Sequence, residues 1–494
     1  MKKKYLLVFL SALVSSLPFS FPSLFFLTLI APTLFFYCLL RENDRKEIRR
    51  ISFIWAISYY LGIHYYFLAL YPLDFAGLSN VASVFVVLIG WIGISLFQGT
   101  ELALFFMLFK RINKRLDLLS PLVLGALFSL CEWVQSLLWF GFPWGQLALT
   151  QHAFLPFIQS LSLFGPYFLT FIIVAINGYV AMFFTSKRTL TLLLAMLIFV
   201  SNTAFGILRL NVKPDADKSL SVAIVQPSLL SGEKWDSSKG RNSFDVHMQM
   251  SEEIDDVDLI VWSETAVPSD LADNSYRMEK IKELLKEKNC DLLTGAFYGN
   301  YNAALYIEEK NVSTYFKQHL VPFGEYVPMR GVVDFALPFL SDINMISSDL
   351  SSGDDSTVFQ TQNGKIGALV CFDSIFTNLA RKSANNGAEL ITIITNDSWY
   401  KTSTALTHHN AQAIFRAVEN NRWVVRCANS GISSFIDSQG RIIAKTEPLE
   451  VTSMTENVKL INNQTFYTLT GNIFTPITAL LVAAYILLYK KVDL

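Results

Sequence analysis

The chain has 494 residues and a formal net charge of −1; 52% of it is hydrophobic, 16% is charged, and the mean hydropathy is +0.37. That balance is too apolar for an ordinary soluble protein, and a charge near zero gives no electrostatic ground for binding nucleic acid or another polyanion. Five cysteines, an odd number, do not make a disulfide framework: Cys38 and Cys131 fall in apolar runs, and Cys290, Cys371 and Cys427 show no paired metal-ligand spacing.

The N-terminal part is a succession of apolar stretches. Spans are expected near 5–20, 23–41, 51–70, 81–109, 117–139, 157–185 and 189–208, and a last one near 471–489, about eight in all. The stretch 81–109 is long and must tilt, bend or protrude. No clear small-x-small cleavage site follows the first run, so that run is read as a span. Basic residues gather at the MKKK start, in RENDRKEIRR (41–50), KRINKR (110–115) and SKR (186–188), and at Lys490 and Lys491. YPLDFAGLSN (71–80) and the 140–156 region carry none. With alternating spans, all the basic loops fall on one side, which predicts cytoplasmic termini and an outward-facing segment 209–470. The expected domains are 1–208, helical and membrane-spanning; 209–470, extracytoplasmic; and 471–494, a final span with a short tail.

Within 209–470 the periodicity alternates. SLSVAIVQP (219–227), DLIVWSE (258–264), CDLLTGAF (290–297), AALYIEE (303–309), VSTYFKQHL (312–320), KIGALVC (365–371), ELITIITN (389–396), RWVVRCAN (422–429) and ISSFIDS (432–438) read as strands. Helices are expected over 277–289, 375–386 and 405–421. Apolar central strands alternating with helices predict a layered α/β domain.

Three residues stand where such a domain does chemistry. Glu264 follows a buried-type strand, and sites collect at the carboxyl ends of strands; a solvated loop carboxylate or a helix-cap partner is the plain alternative. Lys317 lies in a strand pattern between apolar neighbours, ahead of Glu325 in a Gly- and Pro-punctuated turn. Such a lysine can stabilise an oxyanion, or can simply guard a sheet edge. Cys371 ends an apolar strand before a helix. It can be a small residue closing a buried strand, or a nucleophile whose thiol pKa a helix N-terminus lowers. In the second case a nearby carboxylate serves as base.

Glu, Lys and Cys in this chain order on an α/β scaffold resemble the nitrilase superfamily. The surrounding stretches VQPSLLSGEKW (225–235), VWSETAVP (261–268), KQHLVPFGEYVP (317–328), VCFDSIF (370–376), TNDSWY (395–400), FRAVENNRWVVRCANSGIS (415–433) and EWVQSLLWFGFPW (132–144) resemble the apolipoprotein N-acyltransferase family, over nearly the whole chain. The resemblance implies a nitrilase-like αββα sandwich joined to a polytopic helical membrane domain in the bacterial inner membrane. It implies transfer of an acyl chain from a phospholipid, typically phosphatidylethanolamine, to the α-amino group of a diacylglyceryl-cysteine on an apolipoprotein. Glu264 would be the general base and Cys371 the nucleophile that carries the acyl thioester. Lys317 and the backbone N–H of Phe372 would hold the oxyanion. Glu325 would support the Lys and Glu pair, and Trp235 would lie on an arm over the site. The family commonly reads Cys-Tyr-Glu where this chain has Cys371-Phe372-Asp373, so Asp373 is expected to support the site on a shorter arm. No metal or organic cofactor is expected, and the chain is expected to act as a monomer. Two rival readings remain: a membrane-anchored amidase of the same superfamily, and a catalytically decayed paralogue that binds lipoproteins.

Other features are weaker. The apolar first part of 329–355 reads as a lid dipping into the bilayer through Phe335, Leu337 and Phe339, or as a core helix. His408 and His409 are adjacent on a predicted helix and point about 100° apart, which disfavours a shared metal. Glu101 and Glu132 fall in or near apolar runs, where structural pairing or an interfacial position is expected.

Overall fold

The computed structural model describes the whole chain except residues 1, 74–76, 138–140, 215, 217, 230–241, 272–273, 337–348 and 491–494. Trp235, Leu337 and Phe339 lie outside the described residues. The chain divides into two units. One comprises Met1–Leu68, Val86–Lys213 and Leu469–Leu494; the other comprises Ala69–Phe85 and Pro214–Thr468.

The first unit is helical. A helix occupies each apolar stretch of the sequence, and five are long and apolar enough to cross a membrane: Pro22–Arg41, Arg45–Leu70, Asn80–Ile112, Leu161–Ser186 and Thr189–Leu210. Ser120–Val134 and Phe474–Leu488 are apolar but shorter. At 1.5 Å per residue, fifteen residues reach only about 22 Å, less than a ~30 Å hydrocarbon core. The helix Lys2–Ser20 opens on three lysines. Helix Leu161–Ser186 breaks at Gly165, whose φ of 73° with Pro166 next interrupts the ladder.

Aromatic rings knit this unit together. Trp55 stacks on Phe35 and on Tyr59, each at 4.9 Å between centroids. Polar side chains pair between helices rather than facing lipid: the Thr33 hydroxyl donates to Asn177 Oδ1 at 2.8 Å. Glu132, fully buried, accepts from the Leu147 N–H at 2.7 Å and the Thr170 hydroxyl at 2.6 Å, which is the structural pairing expected of it. Gly206 lets two backbones meet, because a Cβ there would come within 1.7 Å of the Pro156 carbonyl oxygen.

The second unit is a sandwich of two sheets. Strands β1 (Lys218–Gln226), β2 (Leu259–Trp262), β3 (Val267–Asp270), β4 (Asp291–Tyr298), β5 (Tyr301–Ile307) and β6 (Val312–Phe316) belong to one. Strands β7 (Val358–Gln360), β8 (Lys365–Val370), β9 (Leu390–Thr395), β10 (Trp423–Ala428), β11 (Ser434–Ile436) and β12 (Ile442–Lys445) form the other. Strand β13 (Thr452–Leu460) returns to the first sheet, which runs β13-β1-β2-β4-β5-β6 with β3 beside β4; the second runs β12-β11-β10-β9-β8-β7. Strands β1, β2 and β4 are parallel, as are β8, β9 and β10. Their period-2 pattern drives the layering. Val222, Ile224, Leu259 and Val261 pack against Ala368, Val370, Ile394 and Val425 between the sheets. Ala223, Val225, Ile260 and Trp262 face the opposite way, onto Phe244, Ile281 and Leu285 of helices Ser243–Glu252 and Ser275–Lys288. Helices Thr377–Asn385 and Ala405–Asn420 cover the other sheet. The expected αββα layering is therefore observed.

Four strands have no counterpart in the sequence reading: β3, β7, β12 and β13. The first three have three or four residues, and β12 and β13 present mostly exposed or half-exposed side chains, so none offers a clean apolar signal. Strand β6 also ends earlier than expected, at Phe316, so Lys317 follows the strand instead of lying within it. Phe335, on the short helix Arg330–Ala336, is 91% exposed, which excludes the core-helix reading for that residue.

One arginine ties the sandwich's loops. Arg422, 1% exposed, donates to the carbonyls of Ala388 and Asn463 at 2.5 and 2.6 Å, and to those of Asn420 and Asn462 at 3.1 Å. Arg422→Met strips these buried acceptors of their donor, and each orphan costs about 1–3 kcal/mol. A loss of about 3 kcal/mol in a domain of this size lowers the melting temperature by about 6–12 °C, read by thermal unfolding of the purified variant.

Candidate active site

Strand β5 is antiparallel to both β4 and β6, so β6 runs in the same direction as β2 and β4. The residues that follow β2 and β6, Glu264 and Lys317, therefore emerge at one edge of the sheet. Their side chains meet there in a water-poor cluster. The Lys317 ammonium, 1% exposed, stands 3.2 Å from Glu264 Oε1 and 2.9 Å from the Glu325 carboxylate. Asn302 on β5 donates through Nδ2 to Glu264 Oε1 and to Glu325 Oε1, both at 2.8 Å. Backbone donors complete the set: Asn396 N–H to Glu264 Oε2 and Val321 N–H to Glu325 Oε2, each at 2.8 Å. Gly295 on β4 makes the approach possible, because a Cβ there would come within 2.6 Å of the Glu264 Cα.

Cys371 follows β8 on the opposing sheet with φ of 50°, in the left-handed region that costs a non-glycine residue about 1–2 kcal/mol. It opens the short 3₁₀ turn Cys371–Ile375. Such a strained elbow turns the side chain out of the strand end. Glu264 and Lys317 both act electrostatically on the thiol, so all three sequence candidates and Glu325 converge on one site.

Phe372 and Asp373 brace the elbow. The Phe372 ring meets Phe376 edge-on at 5.4 Å, and Phe376 stacks on His319 at 3.7 Å. Asp373, fully buried, accepts from the N–H groups of His319 at 2.8 Å and Gln318 at 3.2 Å, and from the Tyr315 hydroxyl at 2.8 Å. These bonds take up the N–H groups of residues 318 and 319, just past the end of β6. The shorter arm of aspartate is long enough for this task. Trp235 falls outside the described residues.

A second polar chain lies behind the elbow. Asp397 accepts from Arg426 Nη2 at 2.7 Å and pairs at 2.8 Å with Nδ1 of His409, whose Nε2 approaches Ser374 Oγ at 2.9 Å. Sequence reading missed Asn302, Asp397, Arg426 and any role for His409. The signal available was polarity in otherwise buried strands: Asn302 within YNAALYI and Arg426 within WVVRCA.

Charge sets the resting state. Burial alone would lower the Lys317 pKa, but the Glu264 and Glu325 carboxylates hold its ammonium charged, well above the usual lysine range. Burial, and then the Glu264 charge, push the Cys371 thiol well up, against the pull of Lys317. This direction is opposite to that expected of a thiol acidified by a helix N-terminus. A five-residue turn supplies little dipole, and a neighbouring carboxylate opposes a second anion. Burial pushes Asp373 up to about 7. Burial opposes ionisation of Asp397 as well, yet Arg426 and His409 hold it well below the usual carboxylate range. A group with a raised pKa stays protonated as pH rises through its ordinary value. The difference in thiolate absorbance between wild type and Cys371→Ser is therefore expected to show no ionisation of Cys371 up to about pH 8.5, where a free thiol is half ionised. A thiolate step near neutrality would contradict this electrostatic picture.

Comparison with known proteins agrees with the geometry. Residues 221–460 match the carbon-nitrogen hydrolase family, and residues 11–179 match the apolipoprotein N-acyltransferase N-terminal domain. The apolipoprotein N-acyltransferase of Geobacter metallireducens is 30% identical over 499 residues, covering 96% of this chain and 92% of that protein. That of Rickettsia typhi is 30% identical over 510 residues, covering 99% of each. The matches run through both the apolar helical part and the sandwich, and the chain belongs to the apolipoprotein N-acyltransferase family.

Proposed function

We propose that this chain moves an acyl chain from a phospholipid to the α-amino group of an apolipoprotein's N-terminal diacylglyceryl-cysteine, through a thioester on Cys371. The observation that carries this reading is the buried Lys317 ammonium shared by Glu264 and Glu325 at the same site as a cysteine on a strained, positive-φ elbow. Apolar helices in the same chain give a lipid substrate its reason.

In the first half-reaction Glu264 takes the thiol proton as Sγ attacks the ester carbonyl carbon. The oxyanion forms beside Lys317 and the Phe372 N–H. Its collapse breaks the ester C–O bond, and Glu264 returns the proton to the departing lysophospholipid alkoxide. In the second half the lipoprotein amine attacks the thioester and Glu264 accepts a proton from it. Collapse forms the amide and expels the Cys371 thiolate, which recovers the proton from Glu264. Glu325 holds Lys317 in place, and Asp373 fixes the elbow to the loop after β6. No metal or organic cofactor enters any step. The sandwich faces the periplasmic side of the inner membrane, both termini are cytoplasmic, and the enzyme works as a monomer. The asymmetry of basic residues between alternate loops supports that orientation.

Intact mass after mixing the purified protein with phosphatidylethanolamine tests the reading. Wild type is expected to gain one acyl chain that hydroxylamine removes, and Cys371→Ala to gain none. Lys317→Met is expected to form the adduct about 10²–10³-fold more slowly, the scale of a lost oxyanion donor. A folded wild type that neither takes up acyl chain nor, given a lipopeptide amine, makes N-acyl product would sink the proposal.

A further inference from the structure

The sequence disfavours a shared metal on the adjacent pair His408 and His409, and in the structure His409 has other partners. It is 1% exposed on helix Ala405–Asn420, packed against the back of the Cys371 turn. Its Nδ1 is 2.8 Å from Asp397 Oδ1. Its Nε2 is 2.9 Å from Ser374 Oγ and 3.2 Å from the carbonyl oxygen of Cys371. Ser374 donates its hydroxyl proton to that same carbonyl at 2.7 Å. Arg426, fully buried, holds the other oxygen of Asp397.

The Cys371 carbonyl belongs to the peptide group that also contains the Phe372 N–H. A trans peptide is planar, so its C=O and N–H point in opposite directions. Whatever grips the oxygen on one side aims the N–H on the other. The geometry points to His409, with Ser374, as the positioning residue that aims the Phe372 N–H into the oxyanion hole by holding the opposite end of its peptide. This inference rests on the reading of Cys371 as an acylated nucleophile.

The proton count agrees with the role. A carbonyl oxygen only accepts, and the Ser374 proton is already committed to it. Both ring nitrogens therefore face acceptors: Nε2 the Ser374 lone pair and the Cys371 carbonyl, Nδ1 the Asp397 carboxylate. Asp397, fixed by Arg426, sets the ring plane. The arrangement also answers a structural question: φ of 50° at Cys371 turns its carbonyl away from the β8 ladder, and Ser374 and His409 supply that oxygen with new donors. Donors on the oxygen further polarise the peptide and strengthen its N–H as a donor.

The test separates the two ends of the peptide. Acylation of Cys371 by a p-nitrophenyl acyl ester passes through an oxyanion; alkylation of the same thiol by iodoacetamide does not. In the full-length protein, His409→Asn keeps an amide near Nδ1 and none near Nε2, whereas His409→Gln reaches toward the Nε2 position. His409→Asn and Ser374→Ala are expected to slow acylation about 10- to 100-fold, the scale of a misaligned catalytic group, with alkylation unchanged. His409→Gln is expected to recover most of the acylation rate. Equal loss of alkylation and acylation in folded variants would reduce His409 to general scaffolding and overturn the inference. So would wild-type acylation in all three variants, or rescue by Asn and not by Gln. A wild type that accepts the activated ester but no phospholipid would remove the proposed acyl donor and leave this comparison intact.

Discussion

A single buried ammonium organises the sandwich's functional edge. Lys317 has almost no contact with water, and an unpaired charge at that depth costs several kcal/mol. Two carboxylates offset the cost, and each needs its own donors. Asn302 serves both, Asn396 N–H serves Glu264, and Val321 N–H serves Glu325. The loops after β2, β6 and β9 are therefore fixed by one electrostatic requirement. Gly295 is part of the same requirement, since no side chain fits where Glu264 crosses β4.

The cluster holds one cation and two carboxylates; burial first, and then the Glu264 charge, disfavour the thiolate of Cys371. A thiolate at Cys371 would be a third anion in a site of low dielectric. The chemistry avoids it by moving charge rather than creating it. When the thiol proton passes to Glu264, that carboxylate becomes neutral as the oxyanion appears beside Lys317. The number of negative charges around the ammonium stays constant, so the surrounding dipoles need little reorganisation.

Sequence legibility followed the same physics. Strands buried on both faces, such as LIVW of β2 and LITIIT of β9, announced themselves through runs of apolar and β-branched residues. Glu264, Lys317 and Cys371 were legible because each interrupts or ends such a run. Strand β13 was not, because alternate side chains along most of its length face solvent and its signal is polar. The supporting residues were harder to see. Asn302 and His409 act through partners 12 to 38 residues away in sequence, and only the fold brings those together. The helix-dipole argument for an acidic Cys371 is opposed for a related reason: the turn is visible in sequence, but the burial of the thiol, the larger influence on it, comes only with the fold.

Two aspartates flank the nucleophile turn in space, and their environments push them in opposite directions. Burial raises Asp373, among neutral donors, to about 7; Asp397 is buried too, but Arg426 and His409 bring it down. The first binds the turn to the loop bearing Lys317, and the second anchors the histidine behind it. This division bears on the Cys371-Phe372-Asp373 sequence. Phe372 contributes a ring packed on Phe376, a contact that needs no hydroxyl. Asp373 contributes an acceptor for N–H groups that the loop itself brings within reach. The position demands a buried acceptor at a fixed point, and a short side chain meets that demand because the backbone of residues 318 and 319 closes the distance.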